Sequence, residues 1–358
     1  MKTSRPVAVI ATLLLLGAAC GGGSDGGGGG AGAGSGEAKG FDDVTLATVG
    51  NMMHLPEYVA VERGFWAEHG LNVKLDILAD GADVNKALQS GTAEFGSAST
   101  TSVPAARSAG LPQKLVAPGM NDATSSTYAG PLGIVGRKDQ GITEDPSSLV
   151  GKKVAVHEGS TNHEYFLLYL QEHGIDPNQV DIVPIEAQDQ PVSLEQGDID
   201  AASDWEPFVS QMSMEQGDNA VLLSQNDPLL GYTIGVGATD DVIKEEADIM
   251  EKFSQGIAQA SYWIRQNPEE AAEVATNFIS GLETEYAVAA MDNLAFDPRI
   301  SSCTEQSFET AAEGLAKKGE IDTAPPGPEM MDGTIMEKVE EENPEWFEDL
   351  PPLPQDCQ

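Results

Sequence analysis

"KKVAVHEGSTNHEYFLLYLQEHG" runs from Lys152 to Gly174. Residues 152–159 read as a short apolar strand that ends at Glu158–Gly159. Residues 161–174 carry the spacing of a helix, and Gly174 suits its C-terminal end. Thr161 and Glu164 stand at the S/T-x-x-E spacing of a capping box, so Thr161 is the expected N-cap. A strand that turns through Gly-Ser straight into a helix is one half of a βαβ unit. Whether the whole chain is built from such units decides the fold.

The same alternation recurs on both sides. "VTLATV" (44–49) is a strand and "LPEYVAVERGFWAEHG" (55–70) a helix. "LNVKLDIL" (71–78) puts Leu71, Val73, Leu75 and Ile77 on one strand face. "DVNKALQSG" (83–91) is a short helix and "AEFGSAS" (93–99) a strand. Beyond residue 131, "PLGIVGR", "VDIVPI", "IDAASDW" and "AVLLSQ" read as strands, and "GYTIGVGA" (231–238) as a return strand. Helices then dominate: 240–266, 268–280, 283–294, 303–318 and 328–341. The tail "PEWFEDLPPLPQDCQ" is Pro-rich and irregular. Strands separated by helices imply an α/β protein with parallel pairing and right-handed crossovers. The blocks divide into lobe 1 (43–130 plus 236–340), lobe 2 (131–235) and a tail (341–358). Two linking strands form a hinge, and the strand ends of the two lobes face one cleft.

Four phrases in order, "LPEYVAVERGFWAEHGLNVKLDI", "DGADVNKALQSGTAEFGSAS", "LVGKKVAVHEGSTNHEYFLLYLQEHGID" and "LEQGDIDAASDWEPF", resemble ABC-transporter substrate-binding proteins of the sulfonate, taurine and nitrate group. The thiamine-precursor (NMT1/THI5-like) binders belong to the same superfamily. The resemblance covers residues 43–340. It implies the two-lobed periplasmic-binding-protein-like fold (type II), each lobe a mostly parallel sheet flanked by helices. It implies capture of a small polar solute by cleft closure, and delivery by a monomer to a permease with its ATPase. Some relatives are enzymes that make a pyrimidine with a Cys cluster, but this chain has no cysteine between residues 21 and 302, so no catalytic residue or cofactor is expected; a pyrimidine synthase-like enzyme and a metal-binding lipoprotein are the lesser alternatives. Sulfonate- or taurine-like, nitrate and pyrimidine ligands all remain open, because one frame carries many ligands.

The candidate ligand residues lie in the loops that face the cleft. Ser160, Thr161 and Asn162 open a helix whose first N–H groups suit a carboxylate, sulfonate or phosphate. The family places ligand at this position, and it also lines its cleft with an aromatic residue in the phrase that here holds Trp205. Glu206 and Asp204 beside it could hold an ammonium. His54, Gly81, Ser97, Ser99 and Thr100 come from lobe 1 loops, the hydroxyls as donors and Gly81 for close backbone approach. Each also has a plainer reading as a cap or a packing residue. These loops lack Lys and Arg, which favours a zwitterion or a neutral heterocycle over a dianion. His157, Glu158, His163 and Glu164 invite a zinc reading, but they lack the i, i+4 spacing that one helix face requires, and no metal is expected. No Ser-His-Asp or paired-acid motif stands out.

The chain has 58 acidic and 19 basic residues, a net of −39. Such a field repels nucleic acid and anionic membrane surfaces, and suits a solvating acidic surface. Lys2 and Arg5 precede an apolar run, Val7–Leu16, that is too short to span a bilayer. Gly17, Ala18, Ala19 and Cys20 resemble a lipobox, with Gly17 where an aliphatic residue usually stands. The resemblance implies a signal peptide (1–19), lipidation of Cys20, and an anchored protein outside the cytoplasm. Residues 21–40 hold twelve glycines, a flexible tether reaching roughly 25 Å. With Cys20 lipidated, Cys303 and Cys357 are the one remaining pair, open to a disulfide in an oxidising compartment.

Overall fold

The computed structural model describes residues 42–121, 130–225 and 229–357. The expected signal peptide, Cys20 and the glycine-rich stretch lie outside them. Among the described residues no helix is long and apolar enough to cross a membrane.

Among the described residues, ten strands form two five-stranded sheets. The first holds β1 (Asp42–Val49), β2 (Leu71–Leu78), β3 (Phe95–Ser99), β4 (Gln113–Asn121) and β10 (Thr233–Thr239), in the order β2-β1-β3-β10-β4. The second holds β5 (Leu132–Arg137), β6 (Lys153–Val156), β7 (Asp181–Pro184), β8 (Ala201–Trp205) and β9 (Ala220–Gln225), in the order β7-β6-β8-β5-β9. The edge strand β2 alternates in burial and the central β3 is buried throughout, as one-sided and two-sided coverage require.

Each sheet is mixed. In the first, β1 pairs parallel with β2 and β3, whereas β10 runs antiparallel to β3 and β4. In the second, β6 pairs parallel with β7 and β8, whereas β5 runs antiparallel to β8 and β9. In each sheet the two parallel pairings join βα-linked strands, and four of the five strands run in one direction. The other two pairings are made by a strand that connects directly to the other sheet and so enters in the opposite sense. β10 carries Gly235 and Gly237 where two bulges press it against the β4 backbone. A Cβ at either position would collide with that strand.

Several expected helices are broken. The long one over 240–266 is two, Asp240–Glu245 and Ala247–Gln266. That over 328–341 is also two, Gly327–Met330 and Thr334–Glu342. Between the latter pair, Met331 leaves the helix to bridge Leu115 of β4, and the Asp332 N–H donates to the Leu115 carbonyl at 2.9 Å. The Asp332–Gly333 pair that follows is a weak helix former, and sheet pairing takes over there. The tail is irregular but docked. Phe347 is buried, Arg265 binds the Trp346 carbonyl at 2.6 Å and Asp349 at 2.9 Å, and Cys303 is bonded to Cys357 with Cα atoms 4.8 Å apart.

Candidate functional site

A cleft of about 400 Å³ opens between loops of the two sheets. From the first sheet come the turn after β1, the start of the helix Gly81–Ser90, the end of β3 and Tyr232. From the second come His157–Thr161 and Trp205. Leu315 and Glu320, at the end of the helix Ser302–Lys318, complete it.

The second-lobe wall is a helix start. Gly159 adopts φ +75°, a left-handed turn that a side chain would strain. The helix spans Thr161–Glu172 with Ser160 as its N-cap, one residue before the expected Thr161. The first in-helix bond is Glu164 N–H to the Ser160 carbonyl, so the N–H groups of Thr161, Asn162 and His163 fall in the turn that a helix leaves over. Glu164 forms no capping box. It pairs instead with Lys318, which reaches across from the first lobe. Thr161 also meets Thr101 of the first lobe, hydroxyl to hydroxyl, at 3.1 Å.

The first-lobe wall is built around His54, which is fully buried. His54 Nδ1 lies 2.7 Å from Glu57 Oε1, and Nε2 lies 3.0 Å from Ser97 Oγ. The other Glu57 oxygen accepts from the Thr48 hydroxyl. Both ring nitrogens are therefore committed internally. Ser99 Oγ donates to Ser102 Oγ at 3.0 Å and accepts from the Ser102 N–H at the same distance.

Trp205 packs against the cores of both lobes, and its ring centroid is 5.7 Å from that of His157. Among the described residues, its buried Nε1 and His157 Nδ1 have no hydrogen-bond partner. His157 Nδ1 is 3.5 Å from a Glu186 oxygen, poorly aligned for a bond. Among the described residues, the lining holds Asp80, Glu158 and Glu320 and no Lys or Arg.

Seven of the expected residues line this cleft: His54, Gly81, Ser97, Ser99, Ser160, Thr161 and Trp205. Thr100, Asn162 and Glu206 do not. On an extended strand neighbours point to opposite sides, so Asp204 turns inward where Trp205 faces the cleft; Glu206 stands just past the end of β8 and is also turned inward. Glu206 is buried and accepts from Ser210, Gln225 and Asn293. Burial pushes its carboxyl up to about 7, against four donors that each pull it down. Burial likewise raises Asp204 well above the usual carboxylate range. Thr100 is tied to Thr233 by side-chain and backbone bonds. Asn162 braces the loop before its own helix, accepting from the His157 N–H at 3.1 Å and donating to Asp204 at 3.2 Å. Neither the Asp204 nor the Glu206 carboxyl is among the residues that line the cleft.

Sequence reading did not single out Asp80, Tyr232, Leu315 or Glu320 as ligand residues, although Asp80 opens the phrase "DGADVNKALQSGTAEFGSAS" and Tyr232 lies in the return strand "GYTIGVGA". It also missed the Glu57–His54–Ser97 chain, whose last link joins residues 43 positions apart. Among the described residues no group of three or more His, Cys, Asp or Glu side chains could hold a metal ion.

The profile of the NMT1/THI5-like family matches residues 51–271. A Bacillus subtilis (strain 168) protein named for binding aliphatic sulfonates is 23% identical over 94% of this chain and 97% of its own. The taurine-binding periplasmic protein of Escherichia coli (strain K12) is 25% identical over 59% of this chain and 65% of its own. The solved periplasmic aliphatic sulphonate-binding protein of Escherichia coli superposes with a TM-score of 0.67 at 16% identity, over 80% of this chain and 91% of its own.

Proposed function

The chain belongs to the NMT1/THI5-like family, and from that premise we propose that it is an extracytoplasmic solute-binding protein of an ABC importer. It takes up a small polar organic solute, sulfonate- or taurine-like or related, and hands it to a permease with its ATPase. It acts as a monomer held to the membrane through a lipid on Cys20. One observation carries the reading. The cleft of about 400 Å³ joins a helix start on one lobe, hydroxyls on the other and an indole with an unmatched Nε1–H. A solute touching both lobes makes some contacts only when they are closed, and that differential drives closure. Thr101–Thr161 and Lys318–Glu164 span the same gap.

The test is mass spectrometry of whatever is released when freshly purified protein is denatured, followed by calorimetric titration of that compound. A stoichiometric small solute is expected. No released solute, together with no binding across sulfonates, amines, nitrate and pyrimidines, removes the reading.

The Glu57–His54–Ser97 chain also has the composition of a hydrolase relay. Ser97 lies inside β3, however, opposite Val236 of β10, rather than on an exposed turn, and transport is the better reading. Ester turnover abolished by Ser97→Ala would reverse that order.

A further inference from the structure

A serine hydroxyl can turn its proton toward whatever faces it. Ser97 does not have that freedom. It is 6% exposed, and its Oγ lies 3.0 Å from His54 Nε2. The state of that nitrogen is decided further back. Glu57 Oε1 is 2.7 Å from His54 Nδ1, and Glu57 Oε2 accepts from Thr48. An ionised carboxylate has no proton to give, so the proton between them belongs to Nδ1. In a neutral imidazole the other nitrogen then carries a lone pair. The Ser97 proton goes to it, and Ser97 turns only lone pairs toward the cleft.

On the solute-binding reading, we propose that the Thr48–Glu57–His54–Ser97 chain makes this wall a hydrogen-bond acceptor, so the solute presents a donor to it, an ammonium or an N–H. The donor end of the solute then faces the first lobe, and any anionic end faces the helix start at Ser160–Thr161. Asp80 on the same lobe adds negative charge beside this wall. Glu57 touches no solute. It is a positioning residue that sets polarity through the ring. This reverses the role that composition assigned to Ser97, which was that of a donor.

Two measurements on the full chain test this. Nitrogen-15 NMR reads the His54 tautomer directly, with His54→Gln identifying the signal. A ring protonated at Nδ1 alone is expected, and Glu57→Gln, which offers a donor as well as an acceptor, is expected to populate both tautomers. Nε2 protonation, or an imidazolium, in the parent protein overturns the proposal. A Glu57→Gln spectrum identical to the parent's removes Glu57 from the chain. Calorimetry then compares taurine with ethanesulfonate, which lacks the donor. Taurine is expected to bind about tenfold or more tightly, the scale of one charged hydrogen bond. Ser97→Ala should erase that ratio by weakening taurine alone. Equal affinities in the parent protein, or a copurified solute without any N–H or O–H donor, overturn the proposal while leaving solute binding intact. Binding of nothing removes both readings.

Discussion

Trp205 and Glu206 are adjacent in sequence and separate in use. The indole faces the cleft with an unmatched Nε1–H, while the next carboxyl is sealed among Ser210, Gln225 and Asn293. Trp205→Ala is expected to weaken solute binding by about 10- to 100-fold in calorimetry, and Trp205→Phe, which keeps a ring without the donor, to fall between. Glu206 gives a second prediction with a definite sign. Its ordinary value is 4.5 and its folded value about 7. Between these, the folded protein keeps a proton that the unfolded chain has released. Stability is therefore fullest below that window and falls as pH rises through it. Urea unfolding at several pH values should show this fall, and Glu206→Gln should remove the share that belongs to this carboxyl. At this scale the sequence revealed which residue types gather near the cleft. It did not reveal which side each takes, because strand alternation near a strand's end depends on where pairing stops.

Helix starts and strand registers position these residues. The turn at Gly159 and the helix from Thr161 were legible from the Gly-Ser-Thr punctuation and apolar spacing, though the cap fell one residue early at Ser160. The breaks at Glu246 and Met331 were not legible. Local propensity favours continuous helix through Glu246; after Met331 the Asp332–Gly333 pair is itself a weak helix former, but the strand that Met331 bridges is β4, over two hundred residues earlier. The helix Ala247–Gln266 lies against the first lobe's core at Gly256, where an added Cβ would collide with the Trp66 indole. That indole is itself fixed by a 3.0 Å bond to the Phe253 carbonyl. Gly256→Ala is expected to destabilise the protein by about 1–3 kcal/mol through overpacking, measured by denaturant unfolding.

Across the whole molecule, two α/β lobes and a cleft between them were readable from the alternation of strand and helix patterns. The antiparallel crossing strands were not, since periodicity carries no direction. A net charge of −39 opposes compaction. Raising salt from about 0.05 to about 1 M shortens the Debye length to a few ångströms, so the melting temperature is expected to rise. The disulfide joins residues 54 positions apart. A loop of that size corresponds to up to ~4 kcal/mol in the chain-entropy picture, and reduction should lower stability by that order. The strand order has a further consequence, for how the molecule comes into being. β5 and β9 lie side by side, with Gly133 opposite Gln225, so residues 132–225 contain every strand of the second sheet. The first sheet instead places its last-made strand, β10, between β3 and β4. As the chain emerges from its N-terminus, the lobe begun second can be finished first. The lobe begun first must wait, with β4 unjoined to its neighbours, until residues 233–239 arrive to fill the gap.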